Sequence, residues 1–273
     1  MDGRRGFRGV LATGLLLGLG SGCGLFGPKA LRLKSDAAKP PELPAAVVRP
    51  DGGTPLAYQT RLIDQPAGSA YLNGGLWEEA TNPLSHELTT LLALNGLRVG
   101  VVGTPPAELE RLASSEASVL SPMRRSGAVG QPRTIPVNGP IESCTLAVVS
   151  AFNGEAKSTK LELVECGLAV TATPIPGGDK LKVRGEFQIQ HGERQPWLRP
   201  TSDGSGFART DQRASQTYPA LAFEVTLGRT DTLVVGAADD PADKLGQSFF
   251  FAASSDRLRQ RVLLVQVGTV GAR

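Results

Sequence analysis

Three cysteines and two histidines are the side chains of this 273-residue chain best suited to chemistry, and their spacing narrows what they can do. His86 and His191 lie far apart, and no His-x-His, Cys-x-x-Cys or His-Glu-x-x-His pattern occurs. Those spacings place two ligands on one helix or turn, so without them a metal site must be assembled from distant segments. A serine hydrolase brings together a nucleophile, a base and an orienting acid. The Gly-x-Ser-x-Gly elbow is absent, and Gly204-Ser205-Gly206 lies in a loop without a strand–elbow–helix context. Glu78-Glu79 and Asp239-Asp240 are adjacent in sequence, which splays the carboxylates apart instead of setting them across one glycosidic bond. Val99-Gly100-Val101-Val102-Gly103 has neither the spacing nor the lysine of a phosphate-cradling loop. The expectation is no catalytic residue, no metal and no cofactor.

Cys144 and Cys166 flank a turn signal, Asn153-Gly154. A hairpin centred near Glu155 sets the two cysteines opposite each other, with Cβ atoms about 4.5–5.5 Å apart, close to disulfide range. The alternative is a pair of buried free thiols acting as small apolar residues, since a one-residue register shift separates them.

The third cysteine stands elsewhere. Arg4, Arg5 and Arg8 precede a short apolar run, Val10 to Leu19, followed by Gly20-Ser21-Gly22-Cys23. A basic start, an apolar segment of about 7–15 residues and small residues at the cut form an export signal. The run is too short for a spanning helix, which needs about 20 apolar residues. The segment resembles the bacterial lipobox, with Gly20 where that pattern has an aliphatic residue. The resemblance implies cleavage before Cys23, acylation of Cys23 and attachment of the mature chain to a membrane. Because Gly24 is not the aspartate of inner-membrane retention, it also implies an outer-membrane location facing the periplasm. A signal cut elsewhere would instead leave Cys23 unmodified and the protein secreted or periplasmic, and an uncleaved leader would itself be the anchor. Arg4-Arg5-x-Phe7 is similar to part of a twin-arginine signal and leaves the export route open.

Removing residues 1–22 takes away Arg4, Arg5 and Arg8 against Asp2, which lowers the formal charge of +3 to near +1. That balance gives no basic face for nucleic acid, so none is expected as a partner. With 33 glycines, 20 prolines and few aromatics, the chain favours turns and short strands over long helices.

The expected organisation is a signal peptide (1–22), a lipidated cysteine with a proline-rich tether (23–57), a small β-α-α-β-α unit (58–113), a Ser/Gly-rich linker (114–131) and a β-rich domain (132–270). In the small unit, Leu84, Leu88, Leu91, Leu92 and Leu94 form a helical stripe that Asn95-Gly96 ends, and Thr104-Pro105 opens a second helix. In the linker, Met123-Arg124-Arg125 reads as solvated surface. The β-rich part carries candidate strands at Arg133–Val137, Cys144–Phe152, Thr159–Thr173, Lys180–His191, Ala220–Leu227, Asp231–Val235, Ser248–Ala252 and Arg261–Val267. Lys180 to Gln190 alternates cleanly, and Pro176-Gly177-Gly178-Asp179 supplies a turn. In Phe249-Phe250-Phe251, strand geometry sends two rings to the core and one outside. The fold class is α+β, mainly β, with an antiparallel sandwich or open barrel.

Phe223 to Gly236, with the strand before it, resembles the strand–turn–strand of the secretin core, the ring-forming channel of bacterial secretion systems. Ala237 stands where that pattern has a second glycine. Leu76-Trp77-Glu78-Glu79, Asn95 to Val101 and Gln260 to Val265 resemble envelope lipoproteins of planctomycete-type bacteria, a likeness that brings no activity with it. Together these expectations describe an exported, lipid-anchored envelope protein with a structural or binding role and a protein partner. An accessory of a secretin-type channel is the first alternative, and an enzyme acting on envelope polymers the second.

Overall fold

Leu181, Val183, Phe187 and Ile189 alternate with polar residues, and all four are buried on one face of a strand. That pattern recurs along the chain, and in a computed structural model it assembles two antiparallel sheets. The structure describes residues 55–269 apart from 121, 153, 202–203, 239–242 and 255–256. The expected signal peptide, Cys23 and nearly all of the tether lie outside the described residues.

In chain order come β1 (Leu56–Pro66), a π-turn (Tyr71–Gly75), α1 (Leu76–Glu79), α2 (His86–Leu94), β2 (Leu97–Val102), α3 (Ala107–Ser114) and β3 (Met123–Gly127). Then follow β4 (Arg133–Val148), β5 (Lys157–Pro174), β6 (Leu181–Pro200), β7 (Phe207–Thr217), a 3-10 turn (Pro219–Leu221) and β8 (Phe223–Leu227). The chain ends in β9 (Thr232–Ala237), α4 (Leu245–Phe250), β10 (Phe251–Ser254) and β11 (Arg257–Thr269). One sheet runs β2-β9-β11-β1-β3, with β10 also on β11; the other runs β4-β5-β6-β7, with β8 also on β6. Neither order closes on itself, so the α+β, mainly β expectation holds as a sandwich.

The core between the sheets holds Tyr58, Val235 and Val265 from the first and Val170, Val183 and Phe187 from the second. A second apolar cluster lies on the far face of the first sheet, where Leu72, Leu76, Leu109 and Leu112 cover Ile63, Val234, Val262 and Leu264. Covered on both faces, β9 is buried at every position, which explains its unbroken run of small and apolar residues. At one end of the sandwich Phe187 meets Phe249 edge-on at 5.3 Å between ring centroids.

The expected split into a 58–113 unit, a 114–131 linker and a 132–270 domain does not divide this fold. All described residues fall in one compact unit, Arg49–Arg273. The strands of the expected small unit, β1 and β2, are not neighbours: β9 and β11 from the other end of the chain stand between them. β1 pairs with β11 along its whole length, from Leu56 opposite Thr269 to Pro66 opposite Arg259. The "linker" contributes β3, paired to β1. Two further expectations change. Phe249 and Phe250 end a helix rather than lie in a strand, because Leu245 and Phe249, four apart, turn to the core together. Residues 223–236 are no hairpin, since β8 pairs with β6 while β9 pairs with β2 and β11, so the turn between them crosses from sheet to sheet.

α2 begins at Ser85, whose hydroxyl accepts from the Leu88 amide, and stops at Asn95, with Gly96 at φ +72°. Asn95 is fully buried and works as a joint. Its amide nitrogen donates to the Leu91 and Val149 carbonyls at 2.8 Å, and its amide oxygen accepts from the Val149 amide at 2.9 Å. The end of β4 is thereby pinned to the helical layer.

Candidate interaction surface

β6 is longer than its partner β5 can cover. The two pair from Pro174 opposite Leu181 to Glu165 opposite Gln190. A bulge then separates His191 from Gln195, and beyond it β6 continues with β7 alone, from Gln195 opposite Gln212 to Pro200 opposite Phe207. The result is a two-stranded ribbon standing off the sheet. Its base is tied to β5 by Arg213, whose guanidinium donates to Glu165 at 2.6 Å. Its turn is closed by Thr201, whose hydroxyl accepts from the Gly206 amide at 3.0 Å while its own amide donates to the Gly206 carbonyl at 2.9 Å.

The ribbon carries the three most exposed large apolar side chains among the described residues: Phe207 at 70 %, Leu198 at 64 % and Trp197 at 59 %. Opposed residues in an antiparallel pair share a face, so Trp197 sits with Thr210 on one side and Leu198 with Arg209 on the other. Pro200 and Phe207 join the Leu198 side. Both faces are therefore apolar near the end, ahead of a polar turn. Arg209 and Asp211, 3.6 Å apart, place charges on the outer strand, which discourages indiscriminate edge pairing. Large aromatic and arginine side chains of this kind contribute most of the binding energy at protein interfaces.

The expected site residues fall elsewhere. Cys23 lies outside the described residues. Cys144 and Cys166 are both free, which corrects the cross-strand disulfide. The turn is not tight: pairing ends at Val148 opposite Lys157, and irregularities between Pro136 and Ile141 shift the ladder further. Cys144 consequently faces Leu161, and Cys166 faces Asn138. Burial pushes both thiols above the usual cysteine range, partly offset at Cys144 by a hydrogen bond with Ser248. Burial, with the two thiols nearby, also raises the Tyr218 hydroxyl to about 12. Protonated thiols are poor nucleophiles, so this cluster behaves as packing. His86 is exposed on α2 and His191 sits at the ribbon's bulge. Among the described residues no group of three or more His, Cys, Asp or Glu side chains is placed to hold a metal. No helix among them is long and apolar enough to cross a membrane.

The ribbon is what sequence reasoning missed. Residues 207–217 alternate without an apolar face, so the periodicity that marks a half-buried strand is missing. One signal was present: Pro196 and Pro200 bracket Trp197-Leu198, and prolines within strands occur on unpaired edges.

Comparison with protein-family models, curated proteins and solved structures gave no match.

Proposed function

We propose that this chain is an exported protein of the bacterial cell envelope, anchored by lipid on Cys23 at the outer membrane facing the periplasm, with a non-catalytic role: it binds a protein partner through the β6–β7 ribbon. The observation that carries the binding role is the concentration of Trp197, Leu198 and Phe207 at the end of one projecting element. Apolar groups left in water favour burial against a partner by about 25 cal/mol per Å2. A protein is favoured over the bilayer because the polar turn precedes the apolar residues. Insertion into lipid would submerge Thr201, Ser205 and the Arg209 guanidinium before Trp197 reached the interface. The leader and Cys23 supply the location.

The test is photo-cross-linking in native envelopes. A photoreactive residue replacing Leu198 is expected to give a discrete adduct, and the same residue replacing Leu258, exposed but outside the ribbon, is not. Trp197→Ser with Phe207→Ser is expected to weaken capture at least about tenfold, the effect of losing an aromatic anchor. It should leave the melting temperature unchanged, because neither ring is buried. Equal adducts from both positions, or capture that survives the double substitution, would overturn the ribbon's role.

A further inference from the structure

A second surface lies where the first sheet meets the β5–β6 and β8–β9 turns. It is an open cleft of about 330 Å3. Gln59 on β1 stands opposite Arg124 on β3 and opposite Gln266 on β11, so an amide, a guanidinium and a second amide form one row across three strands. Adjacent strands lie about 4.8 Å apart, which keeps the row within reach of a single small ligand. Lys180 and Asp179 enter from the β5–β6 turn and Arg229 from the β8–β9 turn. Three cations from three separate elements thus line one cleft against a single carboxylate. Among the described residues, the side chains of Arg124 and Lys180 have no ion pair or hydrogen bond. The Met123-Arg124-Arg125 stretch, read from sequence as plain solvated surface, therefore contributes a cation to a concave site.

We propose that this cleft binds a phosphate group. A guanidinium offers paired donors that match two oxygens of an oxyanion, and an ammonium adds a compact charge without fixed direction. A tetrahedral dianion carries more charge and more acceptor oxygens than a single carboxylate, so it suits a cleft with three cations better. Two sources share that chemistry: a soluble phosphate-bearing molecule and a phospholipid headgroup. The headgroup source rests on the anchor reading above, since Ala57, at the start of β1, lines the cleft where the chain from Cys23 joins the fold. The phosphate site itself stands independently of that reading.

The experiment uses the full chain carrying Cys23→Ser, so that no acyl group intervenes. Calorimetric titration with inorganic phosphate is expected to show saturable binding. Arg124→Gln with Lys180→Gln is expected to weaken it about tenfold or more, and Asp179→Asn to tighten it. Flotation with phosphatidylcholine vesicles, with and without phosphatidylglycerol, separates the sources. Recruitment that needs phosphatidylglycerol and is lost in the double variant assigns a headgroup. Phosphate binding without such recruitment assigns a soluble ligand. Absence of saturable phosphate binding, or binding unchanged in the double variant, overturns the proposal whatever the state of Cys23.

Discussion

Gly246→Ala is expected to lower stability by about 3 kcal/mol, and the melting temperature by on the order of 10 °C. Two effects oppose each other here. Alanine inside a helix is better than glycine by about 1 kcal/mol, and α4 is a helix. But the Gly246 amide donates to the Asn95 carbonyl at 2.9 Å, and a Cβ at 246 would overlap the Gly96 carbonyl. That neighbour is backbone, and it cannot rotate aside. It is also fixed from several directions: Gly96 donates to Ala93, its carbonyl accepts from Ala238, and Asn95 is locked to Val149. The clash therefore outweighs the helix preference and pries apart the joint between α2, α4 and β4. Thermal melting by circular dichroism checks the sign, with Gly206→Ala as control, because a Cβ there meets open space and should change stability by less than about 0.5 kcal/mol. A melting temperature equal to or above the parent for Gly246→Ala would contradict the packing described.

Asp64→Ala is expected to cost about 3 kcal/mol through a different mechanism. The Asp64 carboxylate is more than nine-tenths hidden and accepts from Arg259 at 2.7 Å and Arg261 at 3.2 Å. Arg261 also donates to the Asn138 side-chain oxygen at 2.6 Å, and the Asn138 amide donates to the Ser248 and Phe251 carbonyls at 2.7 Å. The chain of bonds runs from β1 through β11 to β4 and then to α4 and β10, binding one sheet to the other. Removing the carboxylate leaves two partly buried guanidiniums facing each other without a counter-charge. Arg259 is 27 % exposed, so water recovers part of the loss and the effect falls at the low end of the range for buried pairs. A double-mutant cycle of Asp64→Ala with Arg261→Met is expected to show coupling above about 1 kcal/mol, because the two substitutions remove the same contact. Simple additivity would mean that the network does not join the sheets.

Both sites show which parts of the fold were legible in the sequence. The β6 alternation, the Asn95-Gly96 stop and the turn at Pro176–Asp179 were legible because each is a local rule: a period of two, a left-handed glycine and a turn residue set. The sheet order was not, because nothing local in Leu97–Val102 says that its neighbour is β9 rather than β1. Thr232–Ala237 could be read as a strand from its apolar run, but its central position depends on cover from both faces. The cysteine register failed for the same reason, since loop width and bulges set it and residue types do not. The aromatic run 249–251 looked like a strand by propensity, but tertiary packing made Phe249 and Phe250 the end of a helix and left only Phe251 to open β10. The ribbon was hidden because β7 has no apolar face. The cleft was hidden because Arg124, Lys180 and Arg229 are far apart in sequence and only the sandwich brings them together.

The proposed location rests on the first residues, and mass spectrometry of the native protein extracted from membranes tests it most directly. The expected result is a mature N-terminus at Cys23 that carries acyl chains, with residues 1–22 removed. An N-terminus at another position, or an unmodified Cys23 in the membrane fraction, would contradict the lipid anchor.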